Sequence, residues 1–302
     1  MDRLDSMKTL LAAVDGGSLS AASRTLGAPL ATVSRKVADL EAHLRTQLVV
    51  RTRRGLDLTE AGRAYVGACR RILDEIEEAE RAASGEYGAP RGHLTITAPI
   101  CFGRMHVEPV LLDFLRAYPE INARLVLADH MVNLVDDHID VAARIGRLPD
   151  SSMVVTRLGA VGWVTCASPD YLAARGAPET PEALEAHDCI MFEGVYSTNQ
   201  WSFGRGRDAR SLAVRPRFAV NSADAAIAAA VRGAGVTRVL SYQVTAAVAA
   251  GTLRLILRPF EPEPMPAHLV YAGHSLLPLK LRAFLDFAGP RLKASLARLG
   301  QD

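Results

Sequence analysis

The sequence has few cysteines, little net charge and no long apolar run, and each lack argues against a class of function. Its four cysteines, Cys69, Cys101, Cys166 and Cys189, lie far apart among 302 residues, with no CxxC pair and no histidine cluster nearby. That spacing argues against a disulfide scaffold or a structural zinc site and makes a reducing cytoplasm the expected compartment. The opening residues already include Asp2, Arg3, Asp5 and Lys8, so no secretory leader is expected. No stretch approaches the roughly 20 apolar residues that cross a bilayer, so no membrane partner is expected. The eight histidines are scattered, and His130 and His138 are too far apart for one helical turn, so no metal is expected. There is no G-x-S-x-G elbow and no P-loop, and Gly233-Ala234-Gly235 lacks the third glycine of a dinucleotide fingerprint. No catalytic set and no cofactor are therefore expected. The formal net charge is only +2, so nucleic-acid affinity has to come from where basic residues sit rather than from their total.

What is present is ample apolar material, 49% of residues against 23% charged, in a chain longer than one ordinary domain. Leu4, Met7, Leu10, Leu11 and Val14 share one helical face, and Asp15-Gly16-Gly17 ends that helix. Ser18 and Ser20 are N-cap candidates for a short second helix over Ser20–Leu26, closed by Gly27. A third helix is expected from about Leu30 to Arg45, its stripe made by Val33, Val37, Leu40 and Leu44, its opposite face by Thr32, Ser34, Arg35 and Lys36. Leu48–Leu58, with Arg51, Arg53, Arg54 and Gly55 at its tip, has the pattern of a two-stranded wing. Helix, helix, turn, helix, wing is the order of a winged helix-turn-helix.

A long helix follows from Thr59 to about Ser84. Its apolar residues Ala61, Tyr65, Ala68, Ile72, Ile76, Ala79 and Ala83 step by 4, 3, 4, 4, 3 and 4, which is two eleven-residue repeats. One narrow seam with a glutamate-rich back calls for a partner helix; the bland alternative is packing against its own domain. Gly85–Gly92 has hinge composition. Beyond it strands and helices alternate in two α/β units, the second starting near Gly162. Expected helices include Arg104–Tyr118 and Met131–His138, and a mainly parallel sheet is expected. A strand at Leu269–Ala272 and a helix at Leu279–Leu292 return the chain to the first unit.

The run from Gly17 to Gly27, followed by Thr32 to Glu41, resembles the helix-turn-helix of the LysR-type transcriptional regulators. Arg51-Thr52 and Leu58-Thr59-Glu60-Ala61-Gly62 are similar to that family's wing and linker-helix start. Asp140 to Gly146, Ala167 to Leu172, Asn221 to Asp224 and Gly233 to Val236 resemble its effector-domain landmarks, so the resemblance spans essentially the whole chain. One departure is Pro29-Leu30, where the family often has a polar residue followed by proline. The resemblance implies an α+β multidomain chain: a winged helix-turn-helix over 1–59, a linker helix over 60–84, a hinge over 85–92 and an α/β effector domain over 93–302. That last domain would be periplasmic-binding-protein-like (type 2), with subdomain I at about 93–161 and 268–302 and subdomain II at about 162–267. It further implies a homodimer through the linker helix that commonly becomes a homotetramer, and a small-molecule effector between the subdomains.

The expected DNA contacts are Ser18, Ser20, Thr32, Ser34, Arg35 and Lys36, with Arg51, Arg53 and Arg54 at phosphates or in a minor groove. Arg35 is the leading base reader. Paired linker helices would make the operator on double-stranded DNA an interrupted palindrome, and RNA polymerase is a further candidate partner. For the effector, Pro99, Ile100, Cys101 and Phe102 lie between a strand end and a helix start, where backbone N–H groups can meet an anion. Arg144, Asn221, Ser222 and Thr237 are expected at the cleft, with Trp201 as an apolar wall and Phe203 beside it. The bland readings stay open: a solvated basic face, Ser222 as a plain N-cap, Trp201 as a core aromatic. Cys101 invites a redox reading, but neither a lowered pKa nor a resolving partner is visible. A rival function is a constitutive DNA-binding regulator with no effector.

Overall fold

The computed structural model describes residues 2–52, 55–84, 89–130, 132–134, 137–148, 153–193, 200–273 and 277–299. It divides into two compact units, 1–93 and 94–302.

The smaller unit begins with α1 (Arg3–Asp15), α2 (Leu19–Leu26) and α3 (Leu30–Leu44). Asp2 caps α1 by accepting from the Leu4 and Asp5 N–H groups at 3.0 and 3.3 Å. Ser18, rather than Ser20, caps α2 by accepting from Ala21 N–H at 3.1 Å, so this helix opens a residue earlier than its sequence suggests. Gly27 ends it in the left-handed conformation. Pro29 precedes α3 without a side-chain cap. Leu10, Ala13, Leu19, Ala22, Val33, Val37 and Leu40 close a common core. The strands β1 (Val49–Thr52) and β2 (Gly55–Leu58) pair antiparallel, and Glu41 of α3 fixes them by accepting from Leu48 and Val49 N–H at 2.7 and 3.0 Å.

Helix α4 (Glu60–Ser84) follows directly. Thr59 caps it, accepting from Gly62 N–H at 2.9 Å while donating to the Gln47 carbonyl at 2.7 Å. Gly62 lies against the wing so closely that a Cβ there would collide with the Leu48 carbonyl oxygen. Val66, Cys69 and Leu73 bury the face beyond it.

The larger unit starts with β3 (Gly92–Ala98), one turn α5 (Ile100–Phe102), a π turn (Gly103–Val107) and α6 (Glu108–Ala117). After β4 (Ile121–Leu127) come β5 (Val141–Ile145) and β6 (Met153–Val161). The return strand β14 (Met265–Ala272) enters between β5 and β6, giving the order β4-β3-β5-β14-β6, and α10 (Leu279–Leu299) packs against β6 and α6. Phe114 of α6 meets Phe284 of α10 edge-to-face at 5.2 Å.

The second lobe takes β7 (Trp163–Ala167), α7 (Pro169–Arg175), β8 (Cys189–Phe192), the ribbon β9 (Gln200–Phe203) and β10 (Arg210–Ala213), and β11 (Pro216–Val220). Helix α8 (Ala223–Val231), β12 (Val236–Leu240), α9 (Ser241–Ala249) and β13 (Arg254–Ile256) complete it in the sheet order β11-β8-β12-β7-β13. Trp201 and Phe203 of the ribbon cover one face with Met191 and Val236, and α8 covers the other.

Two expectations change. The sheets are mixed rather than mainly parallel: β3–β5, β8–β11 and β8–β12 run parallel, while β14 is antiparallel to β5 and β6, and β7 to β12 and β13. The helix expected over Met131–His138 is absent from its described residues, which form turns with His138 at φ 56°. Asn133 N–H donates to the Asp137 carboxylate at 3.0 Å there, beside a single backbone bond of helical spacing from Asp137 N–H to the Asn133 carbonyl at 2.9 Å. The expected hinge over 85–92 has 85–88 outside the described residues, and Gly92 opens β3.

Because the α4–wing contact has no room for a side chain, Gly62→Ala is expected to lower the stability of the smaller unit by about 1–3 kcal/mol. Urea unfolding of the variant and parent proteins measures the difference.

Candidate nucleic-acid interface and ligand cleft

In α3 the residues between the buried Val33 and Val37 face outward, and Arg35 is exposed while Thr32 and Ser34 are half-buried. Ser18, Ser20 and Ser34 come together with Thr52 and Gly55 around a hollow of about 540 Å³ at the start of α2, the start of α3 and the wing. Leu30 and Ala31 share this surface and escaped the sequence reading because they are apolar. Ser18 Oγ already accepts its capping bond, leaving its hydroxyl proton to donate. Lys36 does not project freely: its ammonium pairs with Asp5 of α1 at 2.6 Å, a contact that emerges only when α1 and α3 pack. Arg53 and Arg54 lie outside the described residues, as does the side chain of Arg51.

On α4 the expected seam divides. Ala61 and Ile72 are exposed, and Ala68 and Ile76 are half-buried. Tyr65 instead packs on its own unit's core, and the side chains of Ala79 and Ala83 are outside the described residues.

In the larger unit the loop after β3 holds Pro99 and Ile100 near the surface and buries Cys101 and Phe102. Ile100 N–H already donates to the Asp129 carboxylate at 3.0 Å. Phe102 packs in an aromatic cluster with His106 and Tyr242, at ring distances of 5.0 and 5.7 Å. Burial pushes the Cys101 thiol up, and the carboxylates of Asp224 and Asp129 add to the shift. Arg104, one residue past the loop's Gly103, reaches across to Asp224 of α8, its Nη2 donating to both carboxylate oxygens at 3.0 and 3.1 Å. This tie between the lobes was not anticipated from sequence, where the two residues are far apart.

The remaining expected ligand contacts are dispersed. Asn221 is exposed; Ser222 caps α8, accepting from Ala225 N–H at 3.4 Å. Arg144 is buried in β5. Thr237 is fully buried and donates its hydroxyl to the Ile190 carbonyl at 3.1 Å, a bond between β12 and β8. Trp201 is buried, with its indole N–H 3.4 Å from the Met191 sulfur, and it borders a cavity of about 230 Å³ with Trp163, Gln200, Ser202 and Arg238.

Residues 4–63 match the model of the bacterial regulatory helix-turn-helix protein, lysR family, and residues 88–293 match that of the LysR substrate binding domain. The chain is 35% identical over 283 residues to an HTH-type transcriptional regulator of Xanthomonas campestris pv. campestris, spanning 92% of this chain and 82% of that protein. An HTH-type transcriptional repressor of Pseudomonas aeruginosa is 34% identical over 95% of this chain and 91% of its own length. Among solved structures, CrgA, a LysR-type transcriptional regulator from Neisseria meningitidis, has 30% identity and a TM-score of 0.62, covering 95% of this chain and 98% of that one.

A free thiol is reactive as its thiolate, and here all four cysteines are free and buried, with Cys166 and Cys189 pushed up to about 12. Native protein is expected to react negligibly with an aromatic disulfide reagent at neutral pH and to release four equivalents only in denaturant. Fast labelling of Cys101 in the native state would reopen a redox role.

Proposed function

The chain belongs to the LysR family of bacterial transcription regulators, and on that premise we propose that it reads its operator as a dimer through the leading half of α3. It is a sequence-specific DNA-binding regulator with a domain for a small-molecule effector. The observation that carries the proposed interface is the exposed Arg35 beside the hollow shared by Ser18, Ser20 and Ser34. A recognition helix enters the major groove, where a guanidinium on its leading end can bind guanine bidentately. Thr32 flanks that contact, and Lys36 serves at phosphates if DNA competes it away from Asp5. Arg51, Arg53 and Arg54 supply wing contacts to phosphates or a minor groove, which raise affinity without selecting sequence.

In this proposal α4 divides its surface between two tasks. Val66, Cys69 and Leu73 tie it to its own unit, and the exposed Ile72 with Ala61, Ala68 and Ile76 forms the seam for a second copy. Two copies present two recognition helices, so the operator is an interrupted palindrome; pairs of dimers make a tetramer. The effector lies between the lobes of the larger unit, lined by Pro99, Ile100, Asn221 and Ser222 at the surface, with Cys101, Phe102, Arg144, Trp201 and Thr237 behind them. It acts by favouring one lobe arrangement over another. RNA polymerase is the further partner, the cytoplasm the compartment, and catalysis no part of the function.

Selection of fragments from a genomic DNA library by the full-length protein tests this. The expected product is an interrupted palindrome, and failure to enrich any sequence with or without a metabolite pool counts against it. Arg35→Ala is expected to relax base preference at one position of each half-site, costing about 1–3 kcal/mol of discrimination. Arg53→Ala is expected to weaken matched and scrambled DNA alike and to flatten the salt dependence, both read by binding titrations. Ile72→Asp is expected to weaken dimerisation roughly tenfold or more, as measured by sedimentation equilibrium.

A further inference from the structure

Strand β12 is buried along its whole length, Val236-Thr237-Arg238-Val239-Leu240, yet it carries a guanidinium at its centre. Arg238 is 8% exposed. Burial lowers its pKa to about 10, which leaves it a cation at neutral pH. A buried cation is ordinarily retained against a carboxylate, because its lost hydration has to be replaced. Among the described residues, no carboxylate forms an ion pair with Arg238. Its Nη2 donates to the Ser202 carbonyl at 2.7 Å, and the rings of Trp163 and Phe203 stand 5.0 and 5.3 Å from its central carbon. Carbonyl and rings ease the charge without neutralising it.

The guanidinium borders the cavity of about 230 Å³, whose mixed polar and apolar wall includes Trp163, Met191, Trp201 and Met265. The acidic member of the lining, Glu263, is solvent-exposed. We propose that this cavity is an anion site, in which Arg238 binds the carboxylate of a small organic acid whose flat or compact apolar body lies against Trp163, Trp201 and Met191. The proposal rests on the effector reading above, and it seats the ligand at a cavity that shares Trp201 with the lining given there. One planar fork with two parallel donors matches a carboxylate, whereas the lining among the described residues offers no second cation for a doubly charged phosphate. Ligand cavities commonly run from about 300 to 1,000 Å³, so this one suits a single ring or a short branched chain.

Its position gives occupancy a regulatory consequence. Trp163 begins the segment by which the chain enters the second lobe, and Pro262 and Met265 belong to the segment by which it leaves. An occupant therefore touches both connections at once, and it can favour one lobe arrangement if its contacts differ between them.

The chain's two tryptophans both border this cavity, so the emission of the intact protein reports its occupancy. Full-length protein is titrated with cyclohexanecarboxylate and benzoate, each paired with its neutral primary amide, and operator affinity is measured alongside. At least one acid is expected to change the emission saturably, with its amide bound roughly tenfold to a hundredfold more weakly. Arg238→Met is expected to lose the acid response, and Arg238→Lys to keep part of it. If Arg238→Met does not fold, the acid and amide comparison in the parent protein decides. Equal binding of acid and amide, a response that survives Arg238→Met, or no response to either acid overturns the anion site. Saturable acid binding that leaves operator affinity unchanged supports the site and removes its effector role. Neutral compounds that alter operator binding equally in parent and Arg238→Met proteins, where the acids do not alter it, keep the effector reading and overturn the placing of the effector at Arg238.

Discussion

A strand can join a sheet in parallel only if the chain has room to travel back along it, and the larger unit crosses between its lobes with almost none. Between β6 and β7 stands Gly162 alone, and the return from the short turn after β13 to β14 is a few residues long. Both entering strands therefore run antiparallel to their neighbours, one in each sheet. From this follow the mixed sheets, the placing of α10 on the first lobe, and the adjacency of Trp163 with Met265 at the edge of one cavity.

Much of this was legible in advance because local signals agreed. The stripe Val33, Val37 and Leu40, the cap at Ser18 and the left-handed Gly27 each specify the helix-turn-helix independently. In Thr59-Glu60-Ala61-Gly62 the threonine caps a helix and the glycine admits the wing's backbone, so the resemblance of this stretch to a family motif has a steric origin. What was not legible depended on contacts between distant segments. Strand direction is set by connections whose length matters more than their composition. At Asn133 and Asp137 a side-chain bond closes a turn beside one backbone bond of helical spacing, which no residue pattern announces.

The candidate sites show the same division. Arg35 is exposed where the period of α3 puts it, whereas the pairing of Lys36 with Asp5 depends on how α1 crosses α3. Thr237 has a place near one end of its strand that sequence makes visible, whereas the parallel pairing of β12 with β8 that gives its hydroxyl the Ile190 carbonyl is not. Arg238, one charge inside an apolar strand, was not singled out from sequence. Its meaning required knowing that the ribbon β9–β10 lays Phe203 over it and supplies no acid among the described residues.

The contact between Arg104 and Asp224 has a mechanical implication. Both partners are more than half exposed, and such pairs contribute at most about 1 kcal/mol, a bias of a factor of five or so. Here the pair is a surface clasp that water and salt can undo almost freely, beside the buried contact of Phe102 and His106 with Tyr242 that also joins the lobes. The clasp thus adds little to the spacing of the lobes, which the buried ring contact holds whether the clasp is made or broken.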